Sequence, residues 1–197
     1  RITLDEVKAF YKDFYGASNG ELAVVGDHAA KDVQKVYEKH FGAWKSPKAF
    51  GRLVPVWTDV TPKNENIEAP DKANAELRLG QRVQIRDDDA DYPALVMGMF
   101  MTGGGFLNSR LAVRVRQKEG LSYGVGGGFS ASALDKEGSF SGYAIYAPQN
   151  RDKVEKAMLE EFQKVIDSGF TEDEVREAKS GWLQSRVVGR AQDAAVA

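Results

Sequence analysis

The 197-residue sequence contains no cysteine, which removes disulfide scaffolds, thiolate-ligated zinc, iron–sulfur clusters and thiol catalysis from consideration. Reducing and oxidising compartments both tolerate such a chain. Histidine is nearly as scarce, with only His28 and His40. A charge excess is missing too: 27 Lys plus Arg stand against 29 Asp plus Glu, a formal charge of −2. No broad basic field is therefore available to draw in nucleic acid or an anionic membrane. No apolar run approaches the roughly 20 residues of a spanning helix, and the sequence does not open on a basic-then-apolar signal segment. What is present is 42% hydrophobic and 28% charged residues, the composition of a chain with a packed interior. Arg1 stands directly before a capped helix and Ala197 falls inside a helical pattern, so the sequence reads as an excerpt of a longer protein.

Thr3 and Glu6 form a capping box, and Leu4, Val7, Phe10, Tyr11 and Phe14 recur at helical spacing up to Gly16. The apolar run 22–25 reads as a buried strand closed by Gly26. Asp27 is the expected cap of a second helix with Val33, Val36, Tyr37, His40 and Phe41 on one face. Residues 45–72 lose periodicity and carry Pro47, Pro55, Pro62 and Pro70, each of which removes a backbone donor and disfavours helix before it. They are expected to connect a helix–strand–helix piece, 1–44, to a lobe over 73–197. In that lobe the patterns predict a strand at 76–85, a helix opened by Asp91 and Pro93, and a helix over 106–118. A hairpin of 122–132 with 138–147 follows, then two helices, the last opened by Thr171 with Glu174. The sum is an α+β pattern with mostly antiparallel pairing.

Candidate chemistry is sparse. His40 lies on the apolar stripe of its helix, and a packed imidazole is expected there; His28 has no acidic or histidine partner three or four residues away. Neither belongs to HxxEH or HExxH, so no metal site and no catalytic residue is expected within this chain. Asp87, Asp88, Asp89 and Asp91 fail the calcium-loop pattern, because Tyr92 and Gly98 stand where glycine and glutamate are required. Their place before a helix is explained by its unpaired amides. Gly103, Gly104 and Gly105 precede a helix and offer amides to a phosphate or nucleotide, but no Lys-Ser or Lys-Thr follows them. Close approach of neighbouring elements is the favoured explanation of these glycines, and of Gly124, Gly126, Gly127 and Gly128. Arg110, Arg114, Arg116 and Lys118 make a cationic helix, partly explained by dipole complementarity. Arg116 stands seven residues before Tyr123, with Gly120 turning helix into strand between them. That corner can aim a guanidinium and a phenol at one peptide carbonyl or carboxylate.

The segment from Gly103-Gly-Gly-Phe-Leu-Asn-Ser-Arg-Leu to Arg116-Gln-Lys-Glu-Gly-Leu-Ser-Tyr123 resembles the family of pitrilysin, insulin-degrading enzyme and mitochondrial processing peptidase, the inverzincin zinc peptidases. The opening Ile2-Thr-Leu-Asp-Glu-Val, the stretch Val24-Val-Gly-Asp27 and the closing Gly169-Phe-Thr-Glu-Asp-Glu-Val-Arg-Glu-Ala-Lys179 resemble the same family in the same order. Phe106 departs from it, standing where a smaller polar residue is expected. The resemblance implies the C-terminal, inactive-type domain across 1–197, folded as a two-layer sandwich of mostly antiparallel sheet with helices on one face. It further implies a homologous catalytic domain carrying HxxEH, in cis or in trans, which holds the zinc. Peptide would then be bound by Arg116 and Tyr123, with main-chain hydrogen bonds of an added strand. A bacterial periplasm or cytoplasm fits the resemblance. The competing readings are a non-peptidase assembly subunit of the same fold and a phosphate- or nucleotide-binding module at residues 103–105. If the first helix, strand and helix belong to a preceding domain, the excerpt is expected to self-associate.

Overall fold

A computed structural model describes residues 1–193, apart from the side chain of Phe106. The chain forms two compact units, one built on Arg1–Val54 with residues from Arg186 onward, the other on Pro55–Ser185.

In the first unit α1 (Leu4–Phe14) starts as its sequence dictates. Thr3 Oγ1 accepts from the Glu6 amide, and Glu6 reaches back to the Thr3 amide at 2.7 Å. The second helix, α2 (Ala30–Phe41), begins later than Asp27 would have it; Ala29 occupies the cap position and supplies no side-chain bond. Two other expectations are overturned here. Residues 22–25 form no strand, and Leu22, Val24 and Val25 remain 40–54% exposed. A strand needs a neighbour for its amides and carbonyls, and Arg1–Val54 contains no second strand among the described residues. His40 is exposed rather than packed, because the stripe it lies on buries no residue within this unit.

Residues 45–72 contain neither helix nor strand. The early part is fastened at Lys48, whose amide donates to Asp13 O and whose ammonium meets Asp13 Oδ2. Later residues are fastened within the second unit, where Arg82 lies over the Trp57 ring and Arg151 donates to Asn66.

The second unit is an open three-stranded antiparallel sheet with helices on one face, an α+β fold. Its strands are β1 (Ala75–Val83), β2 (Ser122–Ala131) and β3 (Gly138–Tyr146), in the order β1-β3-β2. The expected hairpin is β2–β3. Period-two alternation sorts β3: Gly142, Ala144 and Tyr146 are buried, whereas Ser141 and Tyr143 are exposed. Against the buried face pack α4 (Arg151–Ser168) and a wide-turned helix, Ala112–Lys118, called the arginine helix below. Leu111, Val115, Val154 and Met158 are completely enclosed there, beside Leu77, Leu79 and Phe162. Each such side chain contributes about 1.5–3 kcal/mol of burial. The chain is completed by α3 (Tyr92–Met99), which continues as a wide turn through Gly104, and by α5 (Glu172–Gly189). Helix α5 opens on Thr171 and Glu174, the expected capping box, with bonds of 2.8 and 3.2 Å. The α-helix ends at Gly189, short of the helical pattern expected up to Ala197, whose last four residues lie outside the described ones.

The helix predicted over 106–118 is shorter. Phe106–Asn108 is a single 3-10 turn, and helix resumes only after Ser109, whose Oγ accepts the Ala112 amide at 3.4 Å. Ser109 thus acts as an N-cap inside what reads as one continuous pattern. Leu107 is left 37% exposed by this break.

Candidate functional site

The arginine helix and its preceding turn place four cations at one end of the sheet, and the tertiary structure divides them into two kinds. Arg110 is bidentate on Glu174, with Nε to Oε1 at 2.7 Å and Nη2 to Oε2 at 2.8 Å, and it also donates to Gly169 O at 2.9 Å. Its guanidinium lies 4.7 Å from the Phe170 ring centre. Arg114, one turn on, donates to Glu119 at 2.8 Å, Glu160 at 2.5 Å and Glu161 at 3.0 Å. These bonds raise both guanidinium pKa values. They also hold the Glu174 carboxyl down at about 2, through Arg110 first and the Thr171 amide and hydroxyl next. Burial pushes Glu161 upward, yet bonds from Lys164 and Arg114 leave it below the ordinary carboxylate range. A cleft of about 610 Å³ runs past Arg110, Arg114, Lys118, Lys164, Glu161 and Glu174, and its arginines are already matched by carboxylates.

Arg116 and Lys118 are the other kind. Both are exposed, and neither hydrogen-bonds or ion-pairs with any described residue. Arg116 stands two residues after Arg114, roughly half a turn round the helix, and so points away from the carboxylates that hold Arg114. At the end of the helix the Glu119 amide reaches back to Arg114 O at 3.0 Å, one residue further than in an α-helix.

Gly120 then reverses the chain at φ +61°, a left-handed conformation that favours glycine. The Leu121 amide donates to Val115 O at 2.9 Å, and Asn150 Nδ2 donates to Leu121 O at 3.3 Å. Both backbone groups of Leu121 are thus fixed. Immediately after it β2 bulges: Ser122 opposes Tyr146 and Gly124 opposes Ile145, leaving Tyr123 without a partner across the ladder. Tyr123 is 63% exposed and bonds to none of the described residues. Arg116 and Tyr123 are therefore both exposed, one before and one after the turn at Gly120.

The residues 103–105 lie in the wide turn after α3. Gly103 is buried, and a β-carbon on it would sit 2.6 Å from Gly127 N. Close approach to the glycine-rich strand accounts for this residue. The Gly105 amide donates to Phe100 O at 2.7 Å, so it is occupied by the turn itself. The acidic run before α3 also has a local role: Asp89 Oδ1 accepts the Asp91 amide at 3.0 Å and Arg86 pairs with Asp88. Asp91 holds the cap position but makes no side-chain cap bond.

Among the described residues no group of three His, Asp or Glu side chains comes together to hold a metal ion, and neither histidine has a ligand set around it. The residues present do not fit a zinc site.

Residues 1–181 match the family model of the peptidase M16 inactive domain. The chain belongs to this family. As an M16 inactive domain it is 29% identical over 91% of its length to YmfF of Bacillus subtilis, named a probable inactive metalloprotease. It is equally 29% identical, over 95%, to an uncharacterized zinc protease of Streptomyces coelicolor, and 26% identical over 94% to a non-peptidase homolog, YmxG, of Helicobacter pylori. The chain spans 41–42% of the length of these relatives. Among solved structures it superposes on an M16 inactive domain from Pseudomonas fluorescens with TM-score 0.72 and 27% identity, covering 99% of this chain and 45% of that one. A protease from Helicobacter pylori shares the fold at TM-score 0.76 and 20% identity, with 100% of this chain and 48% of that one covered.

Sequence patterns did not reveal which M16 cations would be paired. Glu160 sits on the polar side of α4, whereas Glu161, seven residues after Val154 and three after Met158, falls on the buried stripe. A carboxylate there calls for a partner, but nothing local marks that partner as Arg114. Ser122 is a second residue without a signal; it becomes visible only through the bulge it closes.

Proposed function

We propose that this chain is the non-catalytic, substrate-binding half of a zinc-dependent metalloendopeptidase acting on peptides or unfolded proteins. Support comes chiefly from one observation: of the four clustered cations, Arg116 and Lys118 have no side-chain partner among the described residues, and Arg116 precedes the turn after which a bulge leaves Tyr123 exposed. A guanidinium and a phenol are both donors that keep their charge state near neutral pH. They suit a substrate main-chain carbonyl, which offers acceptors and no particular side chain. Zinc would be held by a homologous domain carrying HxxEH, in cis or in trans, and would supply an activated water. This half would bind and orient the peptide.

The test uses the assembly of this chain with its catalytic half. Tyr123→Phe is expected to lower kcat/KM by about 0.5–3 kcal/mol, the range for one lost hydrogen bond. Arg116→Ala is expected to cost as much or more. Zinc content and melting temperature should stay at wild-type values. Normal kcat/KM in both variants would remove the assignment.

A second reading is a non-peptidase assembly subunit of the same fold. It is favoured by the names of two relatives, a probable inactive metalloprotease and a non-peptidase homolog. Lack of peptide hydrolysis by the intact protein with zinc supplied, together with a stable complex retained through purification, supports this reading over the first.

A further inference from the structure

The bulge that carries Tyr123 is closed by one small side chain. Ser122 is 6% exposed, whereas the next residue is 63% exposed. Where a ladder gains an extra residue, a backbone amide loses its opposite carbonyl and must find another acceptor. Here the Gly124 amide donates to Ser122 Oγ at 3.1 Å. The hydroxyl donates in turn to Ile145 O on β3 at 2.6 Å, with Gly124 O the alternative acceptor at 2.9 Å. Ser122 thus spans the irregularity from both strands. With alanine at this position the Gly124 amide and the Ile145 carbonyl lose their bridge. Relaxation to regular pairing would then shift residue 123 into register and turn its side chain to another direction.

We infer that Ser122 is a positioning residue, whose buried hydroxyl locks the β2 bulge and thereby aims the Tyr123 phenol at substrate main chain. This rests on the substrate-binding reading of Tyr123 given above, but the lock itself is measurable without substrate.

The experiment uses this chain in its assembly with the catalytic half, as wild type, Ser122→Ala, Ser122→Thr, Tyr123→Phe, Arg116→Ala and the Ser122→Ala/Tyr123→Phe double variant. Hydrogen exchange across residues 121–126 and the fluorine resonance of 3-fluorotyrosine at 123 report the bulge. Anisotropy of a fluorescein-labelled, end-blocked unstructured peptide reports binding. Ser122→Ala is expected to speed exchange of the Gly124 amide by about tenfold or more and to move the Tyr123 resonance. Ser122→Thr, which keeps the hydroxyl, should restore both. Peptide affinity should fall roughly 3- to 10-fold in Ser122→Ala and in Tyr123→Phe, and the double variant should fall no further than either.

Unchanged exchange and resonance in Ser122→Ala would overturn the lock. Additive losses in the double variant, or normal binding by Ser122→Ala beside impaired Tyr123→Phe, would overturn the positioning role. If wild type does not bind the peptide, or Tyr123→Phe and Arg116→Ala both bind it normally, the substrate reading falls and the positioning role falls with it. The lock then stands or falls on exchange and resonance alone.

Discussion

Arg110 and Glu174, 64 residues apart in the chain, meet in a two-pronged ion pair of 2.7 and 2.8 Å. The same carboxylate closes the capping box of α5 through the Thr171 amide. One side chain therefore ties the start of α5 to the turn preceding the arginine helix. Glu174→Gln is expected to lower stability by about 1–2 kcal/mol, less than a fully buried charged pair would cost because a third of the Glu174 side chain meets solvent. The urea midpoint measures it.

The pH dependence of that loss has a definite sign. Glu174 ionises at about 2 in the folded chain and near 4.3 when unfolded, so its contribution is complete above the unfolded value and disappears as pH falls through the folded one. The stability gap between wild type and Glu174→Gln should be widest near neutrality and shrink from about pH 5 to pH 2. Urea titrations of both proteins across that range test this; a gap that stays constant would refute it.

Arg114 is expected to be the most sensitive cation of the four. Glu161 is 6% exposed and takes bonds from Arg114 and Lys164. Arg114→Ala leaves this buried carboxylate with a single cationic partner and should cost roughly 2–3 kcal/mol. Arg116→Ala on the same helix should change stability by less than about 0.5 kcal/mol. Equal losses in thermal melts of the two variants would contradict the division into paired and free cations.

Gly103→Ala is expected to destabilise by about 1–3 kcal/mol through overpacking, because the new β-carbon would lie 2.6 Å from Gly127 N and 3.0 Å from Gly126 C. Gly128→Ala, two strand positions from Gly126, meets nothing within 4 Å and should be neutral or slightly stabilising. A paired melt of the two variants distinguishes close approach from a general need for glycine in this region.

The 197-residue chain is expected to self-associate as its concentration rises. Leu4, Val7, Phe10, Tyr11 and Phe14 on α1 are 45–67% exposed, and no residue of α1 or α2 is buried. Such an apolar stripe exceeds what isolated surface hydrophobics account for. Phe10→Glu with Phe14→Glu should lower the apparent mass in light scattering; a monomer at high concentration in wild type would refute the expectation.

What the sequence determined by itself is what a short stretch of chain can enforce. Thr3 with Glu6 and Thr171 with Glu174 cap helices because donor and acceptor lie three residues apart. The β2–β3 hairpin follows from two runs flanking a polar turn, and the α+β fold from the order of these pieces. Even the corner between Arg116 and Tyr123 is local, since Gly120 makes the turn. The tertiary structure alone decided which groups are free to act there. Glu174, Glu160 and Glu161 lie 46–64 residues from their arginines, beyond the reach of any spacing rule, so only folding could match Arg110 and Arg114 with these carboxylates and leave Arg116 exposed. The bulge at Tyr123 depends likewise on Ile145, 23 residues from Ser122. For the same reason the apolar run 22–25 misled: its residues are strand-like, but a strand exists only where another backbone lies alongside to satisfy its amides and carbonyls.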